Sequence, residues 1–314
     1  MKVAWLFPGQ GAQVVGMGKD VHDESPAARR VFDQADAALG ERLARLCFEG
    51  PLEALTLTAN TQPAVLTASC ALLAALRERC PNLPVPACAA GHSLGEYSAL
   101  VAAGALDLAD GVRVCRLRGR AMQEAVPAGE GAMSAIMGME GDIVADICAQ
   151  ATSEGALVSP ANFNAPDQTV IAGHAAAVGR AGVLARARGA KVIPLKVSAP
   201  FHCALMAPAR EQLAAALGNV TFRAPAFPVL ANVDAEPKTD AAGLRDALVR
   251  QVDSPVQWRR SIERMAELGV SHALEIGPGR VLAGLVKRID RSIRVLSIDT
   301  AGCIEKVNEF LGLR

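Results

Sequence analysis

The stretch VPACAAGHSLGEYSAL, residues 85–100, constrains this chain more than any other. A short apolar run enters Gly91, a serine stands between Gly91 and Gly95, and an alanine- and leucine-rich helical pattern follows. Gly-x-Ser-x-Gly between a strand and a helix is the pattern of a nucleophile elbow, a sharp turn that lifts a serine hydroxyl out of the end of a sheet. Bulky neighbours would clash with the adjoining strand and helix, which explains the glycines. The turn also puts Ser93 at a helix N-terminus, where unpaired N–H groups favour developing negative charge. The backbone N–H of Leu94 becomes the natural first oxyanion donor. On the pattern alone, Ser93 is either a nucleophile or a small polar residue in a tight turn.

The rest of the chain supplies the α/β context that an elbow needs. Alanine-rich helical segments alternate with short β-branched runs. KVAWLF reads as a first buried strand, TQPAVLTASCALLAALRERC as a helix stopping before Pro81, and DLADGVRVCRLRGRAMQEAV as another helix. After PAGEG, read as a linker, the rhythm changes. AMSAIMGM, GDIVADICAQAT, ALVSPANFN, QTVIAGH, AAAVGRAGVLARARGA and KVIPLKVS alternate as strand, helix, two strands, helix and strand. That βαββαβ order is the split βαβ arrangement of a ferredoxin-like unit. The expected architecture is a large α/β-hydrolase-like domain with a parallel-sheet core, formed by residues 1–128 and 198–314, with a small ferredoxin-like domain inserted at 129–197.

Composition narrows the classes. With 314 residues, 51% apolar, and 32 basic against 32 acidic side chains, nothing argues for disorder, a nucleic-acid-binding face or an acidic tail. The eight cysteines form no CxxC pair and no zinc spacing, so they read as buried free thiols of a cytosolic protein. The apolar run before Pro8 is too short for a signal-peptide core or a membrane span. The expectation is a soluble, cytoplasmic, monomeric protein without metal. PGQGAQVVGMG resembles a phosphate loop superficially, but it lacks the Lys-Ser/Thr and the dinucleotide spacing.

A serine hydroxyl needs a base. His92, adjacent in the elbow, is expected to diverge from Ser93 and to pack or hydrogen-bond locally. His22 lies in a polar segment read as exposed, His174 opens a helix, and His272 precedes the apolar strand ALEIG. His202, in SAPFHCALM, falls where the chain returns to the large domain and so in a cleft between domains, a common place for a site. Position favours it over any other single histidine without excluding the rest. No Asp or Glu stands out as a triad acid, so a backbone or amide carbonyl could hold the imidazole.

FPGQGAQ, TQPAVLTAS, GHSLGEYSAL, RGRAMQEAVP, SPANFNAPDQTVIAG, PFHCALM, DALVRQVDSPVQW and EIGPG occur in this order along nearly the whole chain. Together they resemble the malonyl-CoA:acyl carrier protein transacylases of fatty acid synthesis. Acyltransferases of polyketide synthases share most of them. The resemblance implies Ser93 as acylated nucleophile and His202 as base. Gln251 would orient that base through its backbone carbonyl, and Gln10 would be the second oxyanion donor beside Leu94. It implies Arg118 as the ligand of the malonyl carboxylate, Gln62 as a polar active-site residue and Asn162 near the substrate mouth. A planar guanidinium suits that task because it can replace lost hydration with two charge-assisted hydrogen bonds. Arg113, Arg116 and Arg120 read as a solvated helix face, with Arg116 and Arg120 as candidate contacts for an acidic carrier. Leu94 and Phe201 stand where relatives that select branched extenders tend to carry glutamine and a smaller residue, which implies malonyl over methylmalonyl. The implied partners are malonyl-CoA and acyl carrier protein, with no cofactor. A polyketide-pathway acyltransferase, a serine thioesterase and a non-catalytic carrier-binding subunit are the alternatives.

Overall fold

Strand β1 (Lys2–Phe7) is buried on both faces, with Val3, Trp5 and Phe7 entering one apolar core and Ala4 and Leu6 another. Two-sided burial is the mark of a central strand in a parallel sheet covered by helices. The computed structural model describes residues 1–197 and 199–313, so position 198, the expected start of the returning large domain, lies outside the described residues. β1 lies between β2 (Cys88–Gly91) and β9 (Val270–Ile276), and the sheet continues through β10 (Arg294–Ile298) on one side and β7 (Val229–Leu230) and β8 (Pro237–Lys238) on the other. All neighbours are parallel except the β7–β8 edge pair. The protein is therefore a mixed α/β fold built on a parallel sheet.

The helix Thr58–Arg79 runs through the larger core. It is long and apolar enough to cross a membrane by composition, yet most of it is buried inside the fold, which makes it a core helix. It packs against Pro26–Leu39 and Leu108–Glu124, the helix that carries the arginines. The elbow helix, Gly95–Ala102, is shorter than its sequence suggests. Gly104 adopts a left-handed φ of 71° just beyond its end, a conformation that closes helices.

A second sheet holds β3 (Gly131–Met137), β4 (Val158–Ala165), β5 (Gln168–His174) and β6 (Lys191–Pro194) in the order β4-β5-β3-β6, all antiparallel. Helices Gly141–Ala151 and Ala175–Ala187 bury Val144, Ile147, Val178 and Ala181 against Ile136 and Ile171 in a separate core. β4 also reaches the large sheet's side of the molecule. Val256 N–H donates to the Ala161 carbonyl at 2.9 Å, and Phe163 N–H donates to the Val256 carbonyl at 2.9 Å. This seam brings Asn162 to the cavity that Ser93 also lines. His272 lies within β9 rather than before it.

Candidate active site

β2 delivers the chain into the elbow and Gly95 starts the helix. Ser93, between them, has φ 52°, a left-handed conformation that side chains rarely adopt. The flanking glycines are required by backbone proximity. A Cβ on Gly91 would stand 1.9 Å from the Gly95 carbonyl oxygen, and one on Gly95 would stand 2.1 Å from the Phe7 carbonyl oxygen. The elbow therefore wedges between β1 and its own helix, and only residues without a side chain fit at both sites.

The strained serine meets His202. Ser93 Oγ lies 2.6 Å from His202 Nε2, and His202 Nδ1 lies 2.9 Å from the backbone carbonyl oxygen of Gln251. A carbonyl can only accept, so Nδ1 carries the proton and Nε2 is left free to take the serine proton. His202 also has a left-handed φ, 59°, so among the described residues two of the three non-glycine residues with positive φ are the partners in this contact. Strain gathered at one point of a fold is typical of functional sites. Burial holds the imidazole pKa down at about 3, and the Arg118 charge adds to the effect against the Gln251 carbonyl. The imidazole is neutral at physiological pH, the state a proton acceptor needs.

Arg118 is 2% exposed. Its guanidinium donates to Gln62 Oε1 at 2.8 Å, Gln251 Oε1 at 2.9 Å and Ser93 Oγ at 3.1 Å, all neutral partners, while Nε has none among the described residues. It also stacks over the Tyr97 ring at 5.5 Å. A buried cation with only neutral hydrogen-bond partners is ready for an anion, because a carboxylate would supply the charge that burial has removed from reach of water.

Eight of the nine residues singled out from the sequence line one cavity of about 120 Å³: Gln10, Gln62, Ser93, Leu94, Arg118, Asn162, Phe201 and His202. The ninth, Gln251, is wholly buried and reaches the site through its carbonyl and amide. Gln10 is steadied by a 3.1 Å bond from its side-chain amide to Thr58 Oγ1.

Three sequence expectations need correction. Arg116 is not on a solvated face. It is 8% exposed and bonds to the Ala59 carbonyl, Asn60 Oδ1 and Glu41 Oε2, tying its helix to the start of Thr58–Arg79. Of the three arginines only Arg113 and Arg120 are exposed. His22 is half-buried and packs on Phe32 and Phe48. His92 is scaffold, but its partner is distant: Nε2 lies 2.8 Å from Asn164 Oδ1 in β4, and the ring packs on Trp258. All eight cysteines are free and buried.

Two residues escaped the sequence reading. Asn232 Oδ1 accepts the Ser93 N–H at 2.7 Å, and Glu96 Oε2 accepts from Asn232 N–H at 2.9 Å and from Gln251 Nε2 at 2.8 Å. Burial pushes the Glu96 carboxyl up to about 7, against those bonds and the Arg118 charge. Asn232 sits in a segment without a motif, and Glu96, though within the elbow stretch, has the look of an ordinary helical glutamate.

Residues 4–306 match the acyl transferase domain family. The malonyl CoA-acyl carrier protein transacylase of Escherichia coli K12 is 53% identical, over 91% of this chain and 92% of its own length. The solved acyl carrier protein S-malonyltransferase of Vibrio cholerae superposes with a TM-score of 0.94 at 46% identity, covering 98% of this chain and all of its own. A malonyl-transacylase solved in complex with its type II polyketide synthase acyl-carrier protein gives 0.94 at 44% identity, covering 99% of this chain and 100% of its own.

Proposed function

This chain belongs to the malonyl CoA-acyl carrier protein transacylase family, and from that premise we propose that it carries malonyl groups from malonyl-CoA to the phosphopantetheine thiol of acyl carrier protein through Ser93, supplying extender units for fatty acid synthesis. The observation that carries this reading is the buried Arg118, whose guanidinium lies 3.1 Å from the nucleophile oxygen with neutral partners only. An uncharged acyl group would offer this cation no counter-charge.

His202 Nε2 takes the Ser93 proton as Oγ bonds to the thioester carbonyl carbon. The oxyanion is held by the N–H groups of Leu94 and Gln10, each worth about 2.7–4 kcal/mol in the transition state. The carbon–sulfur bond breaks, and His202 returns the proton to the CoA thiolate. In the second half the carrier thiol gives its proton to His202 and bonds to the malonyl carbon, and Ser93 leaves and takes the proton back. No cofactor enters either half. Gln62 and Gln251 hold the guanidinium, and Asn162 lines the substrate side of the cavity. The Phe201 ring would crowd a methyl branch on the acyl α-carbon, and Leu94 stands where relatives that select branched extenders tend to carry glutamine, so both favour malonyl over methylmalonyl.

The same reading takes residues 129–197 as a ferredoxin-like domain inserted between 1–128 and 198–314 of an α/β-hydrolase-like domain. Its support is the strand order β4-β5-β3-β6 with two helices against the sheet. We take the protein to be a cytoplasmic monomer, in keeping with eight buried, unpaired thiols for the compartment.

Intact-mass measurement after mixing with malonyl-, methylmalonyl- or acetyl-CoA tests the reaction. The expected result is a malonyl adduct that persists in buffer and discharges onto a carrier thiol. Ser93→Ala should form none, and an adduct surviving that change would refute the nucleophile. Rapid discharge to water would make the protein a thioesterase. The polyketide-type neighbour gives a reason to offer carriers of both pathways, and discharge onto only the polyketide carrier would reassign the pathway.

A further inference from the structure

The elbow's backbone is held by a side chain with no part in the chemistry above. Ser93 donates its N–H to Asn232 Oδ1 at 2.7 Å, and Asn232 Nδ2 donates to the Gly91 carbonyl at 2.7 Å. The carbonyl of one residue and the N–H two positions later lie on the same edge of a strand, so a neighbouring strand would make this same pair of bonds. β2 pairs with β7 through Ala89↔Val229 and Ala90↔Leu230, and β7 ends at Leu230. The Asn232 carboxamide carries the ladder on past the end of that strand and onto the elbow. A carboxamide offers one acceptor and one donor side by side, which neither a carboxylate nor a hydroxyl reproduces at that spacing.

Asn232 is itself fixed. It is 0% exposed, its N–H donates to Glu96 Oε2 at 2.9 Å, and its carbonyl accepts from Gln257 N–H at 2.8 Å. The Ser93 carbonyl accepts from Gln251 Nε2 at 2.9 Å, so both backbone polar groups of the strained residue are bound by side chains. Asn232 does not line the cavity, and neither Arg118 nor His202 bonds to its side chain.

We propose that Asn232 is a positioning residue for the nucleophile, its carboxamide acting as a surrogate strand rung across Gly91 and Ser93 that keeps Ser93 Oγ within reach of His202 Nε2. The role rests on the transferase reading only in what it positions the serine for. A displacement of about 1 Å at a reacting atom costs on the order of 100-fold in rate. Asn232 Oδ1 takes a longer 3.3 Å bond from Gln251 Nε2 as well, but Asn232 bonds neither to Arg118 nor into the cavity, so the main effect falls on kcat and not on KM.

Rapid-quench acylation by malonyl-CoA tests this with Asn232→Asp, which replaces the donor facing Gly91 by an oxygen, and Asn232→Ala, which removes both bonds. Burst amplitude counts folded, competent sites, and the rate constant reports positioning. The expected result is acylation slowed about 10- to 100-fold at the sites that remain, with KM for malonyl-CoA unchanged. Surviving sites that react at the wild-type rate would show a merely structural asparagine and overturn the proposal. Deuterium exchange on the unsubstituted protein gives an answer that no folding failure can obscure. The Ser93 amide should exchange as slowly as the amides of β2, and exchange at the rate of an open turn overturns the clamp. If the unsubstituted protein forms no malonyl adduct, the transferase reading fails, while the exchange measurement still decides the clamp.

Discussion

Replacing Arg118 by Ala should cost malonyl transfer far more than acetyl transfer, and the size follows from the guanidinium's surroundings. Arg118 is buried, and its three side-chain hydrogen bonds go to Gln62, Gln251 and Ser93, none charged. A carboxylate arriving there makes charge-assisted bonds worth about 1.5–3 kcal/mol each. Two such bonds give about 3–6 kcal/mol, but the acyl carboxylate displaces or shares an existing bond to a neutral acceptor, so the lower half of that range applies. At 1.36 kcal/mol per decade, kcat/KM for malonyl-CoA should fall about 10²- to 10³-fold. Acetyl-CoA presents no carboxylate and loses only what the 3.1 Å contact to Ser93 Oγ supplies, so its rate should fall by about tenfold at most, the value of one ordinary hydrogen bond. Single-turnover acylation followed by intact mass, with both thioesters on the same protein, reads the ratio directly. An equal loss for both would mean that the arginine serves the serine and not the substrate. An unchanged malonyl rate would refute carboxylate recognition outright.

Gly95→Ala drives a Cβ to 2.1 Å from the Phe7 carbonyl oxygen, a rigid backbone atom, and should destabilise the fold by about 3 kcal/mol or more in urea unfolding. Gly179→Ala, in helix Ala175–Ala187 with nothing within 4 Å of the new methyl, should instead stabilise it by up to about 1 kcal/mol. The histidine leaves a signature in acid. With its folded pKa held at about 3 and an ordinary value of 6.5, the unfolded chain binds the extra proton at His202 between those limits, so stability drops as pH falls below 6.5. At pH 5 that is about 2 kcal/mol, and His202→Ala should lose correspondingly less stability between pH 7 and pH 5. Glu96, whose raised pKa works in the opposite sense, is common to both proteins and drops out of the comparison. Identical pH dependence in the two would refute the buried, neutral base.

The elbow was legible because its signal is local: two glycines, a serine and a change of hydrophobic period within a few residues. His202 and Gln251 became legible through a resemblance spread along the chain, since nothing in their neighbourhoods says which of five histidines faces a serine 109 positions away. Asn232 left no trace because VLANVDAEP has neither periodicity nor a motif, and its role exists only where β7 ends against the elbow. Glu96 looked like any helical glutamate. Arg116 was misread for a related cause. Helical spacing correctly groups 113, 116 and 120 on one side of their helix, but the cover over that side comes from Glu41 and the start of Thr58–Arg79. The four helices between Lys19 and Thr56 that bring Glu41 there carried no sequence assignment. A face is solvated only if no other segment lies on it, and periodicity within one helix holds no information about that.

The neutral partner behind His202 bears on what the acyl-enzyme reacts with. An imidazole backed by the Gln251 carbonyl gains orientation but no counter-charge, and the nearby guanidinium opposes its protonation. Such a base gives limited help to any nucleophile that must surrender a tightly held proton. Water, with a pKa of about 15.7, needs most of that help, whereas a thiol near 8.5 needs little and leaves as readily as it attacks. With Ser93 and His202 in their proposed roles, the pair therefore favours exchange between two thiols over hydrolysis before any question of water access arises. The missing acid that left the sequence reading without a triad is consistent with a transferase for this reason: a carboxylate at that position would strengthen the base toward the one competitor the acyl-enzyme has to survive.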